Sequence, residues 1–139
     1  MTKIQSPIRA LGEIALRVEE LDKMQNFYEQ VIGLSLMNRF AKSAFFKIAD
    51  GFEGHTQILA LFDRTDSPNY TRLDVDKTTV DHIAFAVSLD DFDPEIRRLE
   101  QHGLQVDTAE HAWVHWRSLY VNDPEGNVVE FVCYDDSVR

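Results

Sequence analysis

Apolar and polar positions run along this chain in a pattern that occurs twice. Residues 13–18 (EIALRV) alternate, the period-two mark of a half-buried strand. From Leu21 the spacing changes. Leu21, Met24, Phe27, Tyr28, Val31 and Ile32 recur at helical intervals, and Gly33 follows as a C-terminal stop. LSLMNRF (34–40), SAFFKIA (43–49) and TQILALF (56–62) then predict three strands. Residues 63–80 are polar, carry Pro68 and keep no period, which predicts a long linker. Beyond it HIAFAV (82–87) predicts a strand. A helix follows with Asp91 as N-cap, Pro94 in its first turn, an apolar face of Phe92, Ile96 and Leu99, and Gly103 as its stop. LQVDTA (104–109), RSLYVN (117–122) and VVEFVCY (128–134) predict the last three strands.

His82 lies 69 positions after Glu13 and Gly103 lies 70 after Gly33, so one inserted residue reconciles the two halves. Internal repetition at this scale predicts an α+β fold of two tandem βαβββ modules. Module one spans about 12–62, the linker about 63–80 and module two about 81–135, within a single domain over residues 1–139.

Strand alternation assigns faces. Ile14, Leu16 and Val18 form the packing face of the first strand, leaving Glu13, Ala15 and Arg17 opposite. Ile83, Phe85 and Val87 do the same in module two, leaving His82, Ala84 and Ala86. Both copies therefore pair small residues with one polar group that can bind a metal. Glu130 stands inside the apolar strand VVEFVCY, where a lone carboxylate needs a cation, a proton or an open cavity. Each of the three also has a plain structural role open to it: Glu13 as a solvated strand end, His82 as a hydrogen-bonded histidine, Glu130 as a protonated acid.

Composition narrows the partners. The formal net charge is −10, which disfavours nucleic acid and anionic membranes. No apolar run reaches the length of about 20 residues that spans a bilayer, and MTKIQSPIRAL has no apolar signal region, so the expected location is the cytoplasm. A single cysteine, Cys133, excludes an internal disulfide and a thiolate-rich zinc site, and its apolar surroundings predict a buried thiol.

The repeat, together with FYEQVIGL (27–34) and SLYVNDPEGNVVEF (118–131), resembles the vicinal oxygen chelate superfamily of glyoxalases, bleomycin-resistance proteins, fosfomycin-resistance enzymes and extradiol dioxygenases. The resemblance covers about residues 12–135. It implies an open barrel-like cup with a metal on its floor, and a homodimer. It also implies ligands at the first strand of each module and the last strand of the second, here Glu13, His82 and Glu130. Glu13 departs from the histidine or glutamine usual there. Two carboxylates with a neutral imidazole still offset a +2 charge, and the oxygen-rich set suits Mn or Mg, with Fe, Zn and Ni also open. The fourth ligand of isomerase members would fall on Leu59 or Ala60, which cannot ligate, or on Gln57 after a register slip. A three-ligand site open to substrate is the expectation.

A second likeness is to the extradiol ring-cleavage signature, carried by His111, Leu119-Tyr120, Asp123-Pro124, Gly126 and Glu130, with Ala109 departing from it. It implies proton-transfer roles for His111 and Tyr120, and His115 is a further candidate base. HAWVHWRS (111–118) would, at period two, put His111, Trp113 and His115 on one face, an aromatic wall for a planar substrate. Trp113 and Trp116 could equally fill an interface. Arg17 and Arg117 are candidates to hold a substrate acid group, or surface ion-pair partners. Two functions follow. One is a metal-dependent enzyme that polarises oxygen atoms of a small substrate, as a lyase, isomerase, transferase or dioxygenase. The other is a metal-free protein that binds or sequesters a small molecule.

Overall fold

The computed structural model describes residues 5–139, so the first four residues of MTKIQSPIRAL lie outside it. The chain divides into two compact units with the boundary between Tyr70 and Thr71. Unit one contains β1 (Glu13–Val18), α1 (Leu21–Asn26), β2 (Ser35–Phe40), β3 (Ser43–Ala49) and β4 (Gln57–Asp63). Unit two contains β5 (His82–Ala86), α2 (Leu89–Gln101), β6 (Asp107–His111), β7 (Trp116–Asn122) and β8 (Val128–Tyr134). Each forms a four-stranded mixed sheet, in the orders β1-β4-β3-β2 and β5-β8-β7-β6. The first and last strands of each unit pair in parallel and the rest antiparallel. The α+β class and both βαβββ modules are as the periodicity predicts.

One face of each sheet packs on its helix. In unit one, Leu16, Val18, Phe46, Leu59 and Leu61 are buried with Met24, Phe27 and Tyr28 of the helical segment. In unit two, Ile83, Phe85, Leu119, Val129 and Phe131 are buried with Phe92 and Leu99. Each large side chain removed from water contributes about 1.5–3 kcal/mol. Cys133 belongs to this layer, and burial pushes its thiol pKa up.

Four local features differ from the periodicity. The first helix is α only to Asn26 and continues as a π-helical stretch, Phe27–Ile32, before Gly33 closes it at φ 93°. The second starts three residues before the expected Asp91 cap, with Ser88 as N-cap and its Oγ donating to Asp91 Oδ2 at 2.8 Å. Pro94 therefore sits in the second turn. The stretch 111–116 is no continuous strand: a 3-10 turn, Ala112–Val114, separates β6 from β7. The 63–80 segment has structure of its own at both ends. Asp63 completes β4, and a 3-10 turn at Val75–Lys77 lays Val75 against Gly126.

The helix-free faces carry the polar residues. Glu13, Ala15 and Arg17 are exposed in unit one, and His82, Ala84 and Ala86 in unit two. The two parallel ladders have the same register: Glu13 pairs Ile58 and Ala15 pairs Ala60, as His82 pairs Val128 and Ala84 pairs Glu130. Ala60 is thus the counterpart of Glu130.

Candidate functional site

In unit two, β5 and β8 bring two of the predicted ligands together. His82 opens β5 on the helix-free face, and Glu130 lies one residue further along the neighbouring strand. His82 Nε2 is 3.1 Å from Glu130 Oε1. The other ring nitrogen, Nδ1, is 2.7 Å from Asp81 Oδ2. The Glu130 side chain is 7% exposed, while Asp81 is almost fully solvated at 95%. Ser118 Oγ, fully buried on β7, donates to Glu130 Oε2 at 2.5 Å.

An imidazole carries one N–H when neutral, yet both nitrogens here face carboxylate oxygens at hydrogen-bond distance. Three arrangements satisfy both contacts: an imidazolium that donates both ways, a protonated Glu130 that donates to Nε2, or a cation in place of the proton between Nε2 and Glu130. With Nδ1–H donated to Asp81, the Nε2 lone pair points toward Glu130. A carboxylate behind an imidazole is the usual way a ligating histidine is oriented. The donor set therefore fits one side of a divalent-ion site. Among the described residues no three His, Cys, Asp or Glu side chains are gathered closely enough to hold a metal.

Tyr120 pairs with Glu130 across the β7–β8 ladder and shares its face. Its hydroxyl is 3.3 Å from His111 Nε2, and its ring meets the His82 ring edge-on at 6.4 Å. His82, Glu130, Tyr120 and His111 thus lie along one face of the second sheet.

The rest of 111–117 is divided among different surroundings. The 3-10 turn breaks the expected alternation, and His115 ends it in the left-handed region at φ 59°. Its Nδ1 donates to the Val138 carbonyl at 2.6 Å and its ring meets Tyr134. Trp113 is 83% exposed and Trp116 41%, their rings 6.3 Å apart. Arg117 is on the helix side. It pairs with Asp93 at 3.1 Å and lies over the Phe92 ring at 4.6 Å.

In unit one, Glu13 and Arg17 both lie on the helix-free face of β1. Of Phe45 and Phe46, Phe46 is fully buried beneath the sheet and Phe45 is on the Glu13 face. There it meets Phe40 and Phe62.

Asp81 and Ser118 escaped the sequence reading. Asp81 had a signal, the Asp-His pair at a strand start. Ser118 had none, because its partner lies 12 residues away on another strand. A cavity of about 420 Å³ lies beside Asp81, between the 75–81 segment and the 126–128 turn, and is not lined by His82 or Glu130.

Residues 10–131 match the model of the Glyoxalase/Bleomycin resistance protein/Dioxygenase superfamily. The chain is 30% identical over 125 residues to a metallothiol transferase, FosB, of Lysinibacillus sphaericus, covering 89% of this chain and 82% of that one. It is 26% identical over 126 residues to a glutathione transferase, FosA, of Serratia marcescens, covering 88% and 79%. A solved lactoylglutathione lyase from Agrobacterium tumefaciens superposes with a TM-score of 0.67 at 28% identity, covering 92% of this chain and 96% of that one.

Proposed function

The chain belongs to the Glyoxalase/Bleomycin resistance protein/Dioxygenase superfamily, and on that premise we propose that it is a divalent-metal-dependent enzyme acting on a small organic molecule. His82 and Glu130 are its ligands from unit two and Glu13 is the third. The observation that carries this is the His82 imidazole, held with one nitrogen on the solvated Asp81 and the other on the buried Glu130. Glu13 enters because it holds in β1 the register position that His82 holds in β5. A bound ion would polarise an oxygen pair of the substrate and stabilise negative charge developing there.

The chain's own residues supply the rest. Asp81 fixes the tautomer of His82, and Ser118 holds one oxygen of Glu130 so that the other stays aimed at Nε2. Tyr120, with His111 against its hydroxyl, can pass a proton to or from a substrate bound over this face. His115, bonded to the Val138 carbonyl through Nδ1, is the weaker candidate base. Ala84 and Ala86 leave room beside the ligands. The oxygen-rich set favours Mn or Mg, with Fe, Zn and Ni as the alternatives. The working form is a cytoplasmic homodimer, in keeping with the family.

The two transferase relatives make addition of a thiol to a small electrophile the favoured reaction. A second reading, an extradiol-type dioxygenase, is favoured by the His111–Tyr120 pair beside His82.

The test is elemental analysis of protein purified without chelator or affinity-tag nickel. Near-stoichiometric metal is expected in the wild type, with loss in Glu130→Ala and in Glu13→Ala. Thiol consumption then speaks for the transferase, and oxygen uptake with a catechol on the iron-loaded protein speaks for the dioxygenase. No metal, and no thermal shift with any divalent ion, overturns the enzyme and leaves a metal-free binding protein of the same fold.

A further inference from the structure

The helix-free face of the first sheet carries a feature that the metal site does not use. Phe40, Phe45 and Phe62 lie side by side across β2, β3 and β4. Their rings meet edge-to-face, with centroids 5.9 Å apart for Phe40 and Phe45 and 5.7 Å for Phe45 and Phe62. Phe45 and Phe62 are half-buried, and an apolar ring left in water at the end of the row is unfavourable. Phe40 remains 53% exposed.

Two arginines border the rings. Arg64 holds its guanidinium 4.6 Å above the centre of Phe62. Arg17 is the register partner of Phe62 on the neighbouring strand and is exposed on the same face. Among the described residues neither Arg17 nor Arg64 makes an ion pair, whereas Arg39, Arg98 and Arg117 each hold a carboxylate, so both guanidinium groups are available to an anion. Ala15, exposed beside Arg17 on β1, adds no bulk next to the rings, while its register partner Ala60 is fully buried beneath them.

We infer that this face is a binding platform for a planar aromatic acid, with Phe45 and Phe62 stacking on the ring and Arg17 and Arg64 taking its carboxylate or an equivalent anionic group. Aromatic faces bind flat ligands by offset or edge contacts, and a guanidinium pairs with a carboxylate through two parallel N–H donors. The charge on the arginines selects an anion over a neutral aromatic. The link to the metal-dependent reading runs through Glu13 alone, which shares this face. Glu13 stands four residues before Arg17, about 13 Å along the strand at about 3.3 Å per residue. The acid group would therefore be held well away from the end proposed for the reaction, as a recognition handle.

The test uses the metal-free, full-length protein, so that chelation cannot imitate binding, and takes 2-naphthoate as the probe. Backbone amide shifts and calorimetry are recorded with 2-naphthoate and with neutral 2-naphthamide. The expected result is movement of β3 and β4 resonances with 2-naphthoate and binding at least about tenfold weaker for 2-naphthamide. Arg17→Ala should weaken 2-naphthoate by about the same factor. Phe45→Leu keeps an apolar side chain and should weaken both probes, with thermal melting confirming that it is folded. No movement of those resonances overturns the platform. Equal binding of acid and amide, or no effect of Arg17→Ala, overturns the assignment of an acid. Metal content of the same variants separates the two readings. A chain that binds metal without the probe refutes only the platform, and one that binds the probe without ever holding metal refutes only the metal-dependent enzyme.

Discussion

Glu130 is gripped from both sides, by Ser118 at Oε2 and His82 at Oε1, in a position almost closed to water. A buried acceptor that loses its donor bears the full desolvation penalty, about 1–3 kcal/mol. Ser118→Ala should therefore lower stability by about that amount, read as a lower urea midpoint at unchanged slope. Adding Glu130→Val to that variant should recover part of the loss, because removing both polar partners costs less than stranding one. If the double variant is as unstable as the two losses added together, the bond is not what holds Glu130. Glu130 was legible from the sequence because a carboxylate in VVEFVCY is out of place. Ser118 was not, since a serine facing an acid 12 residues away leaves no local trace. Trp113, Trp116 and His115 were legible as an unusual cluster, but the single face expected for His111, Trp113 and His115 does not form. A left-handed residue, His115 at φ 59°, resets the alternation within the run.

The DPEGN turn between β7 and β8 shows what an element's sequence can say of its own shape. Asp123 Oδ1 accepts from the amides of Glu125 and Asn127 at 2.9 and 3.0 Å, and Oδ2 from the Asn127 side chain at 2.9 Å. Gly126 follows at φ +90°, where a side chain costs about 1–2 kcal/mol. A Cβ there would also meet Val75 Cγ2 at 3.3 Å, whereas at Gly103, φ +83°, it would meet nothing within 4 Å. Gly103→Ala should thus show the backbone cost of about 1–2 kcal/mol alone, and Gly126→Ala a larger drop in melting temperature. Equal losses would mean that Val75 yields freely. The turn's residues announce the glycine's backbone. That the 63–80 segment returns to press Val75 on it could not be read, because that segment has no period to place it. The start of the second helix went astray for a related reason. Ser88 and Asp91 both make acceptable caps, and only the packed helix chooses between them.

Across the whole molecule the repeat extends to the strand ends. Asp63 ends β4 and Asp135 follows β8, and each accepts from the amide and hydroxyl two residues on, Thr65 and Ser137. Those bonds hold both carboxyls below the usual carboxylate range, helped by Lys42 and by Arg117. A lowered folded-state pKa means that the unfolded chain takes up protons first as pH falls. The stabilisation is complete above the unfolded value, about 3.9, and is lost as pH drops through the lower folded values. Chemical denaturation should therefore give a nearly constant midpoint from about pH 7 to 5 and a fall below about pH 4. Asp63→Asn and Asp135→Asn should each flatten that fall, and an unchanged fall in both would assign it to other acids. The duplicated α+β plan, the two helices, the packing faces and the positions of Glu13, His82 and Glu130 were all determined by the sequence itself. Each rests on periodicity, a local property of neighbouring side chains. The tertiary structure alone decided that His82 meets Glu130, that Ser118 and Tyr120 join them, that Ala60 is the silent counterpart of Glu130, and that three phenylalanines form a row. Those facts depend on strand order and register, which hydrogen-bond ladders set between segments far apart in the chain.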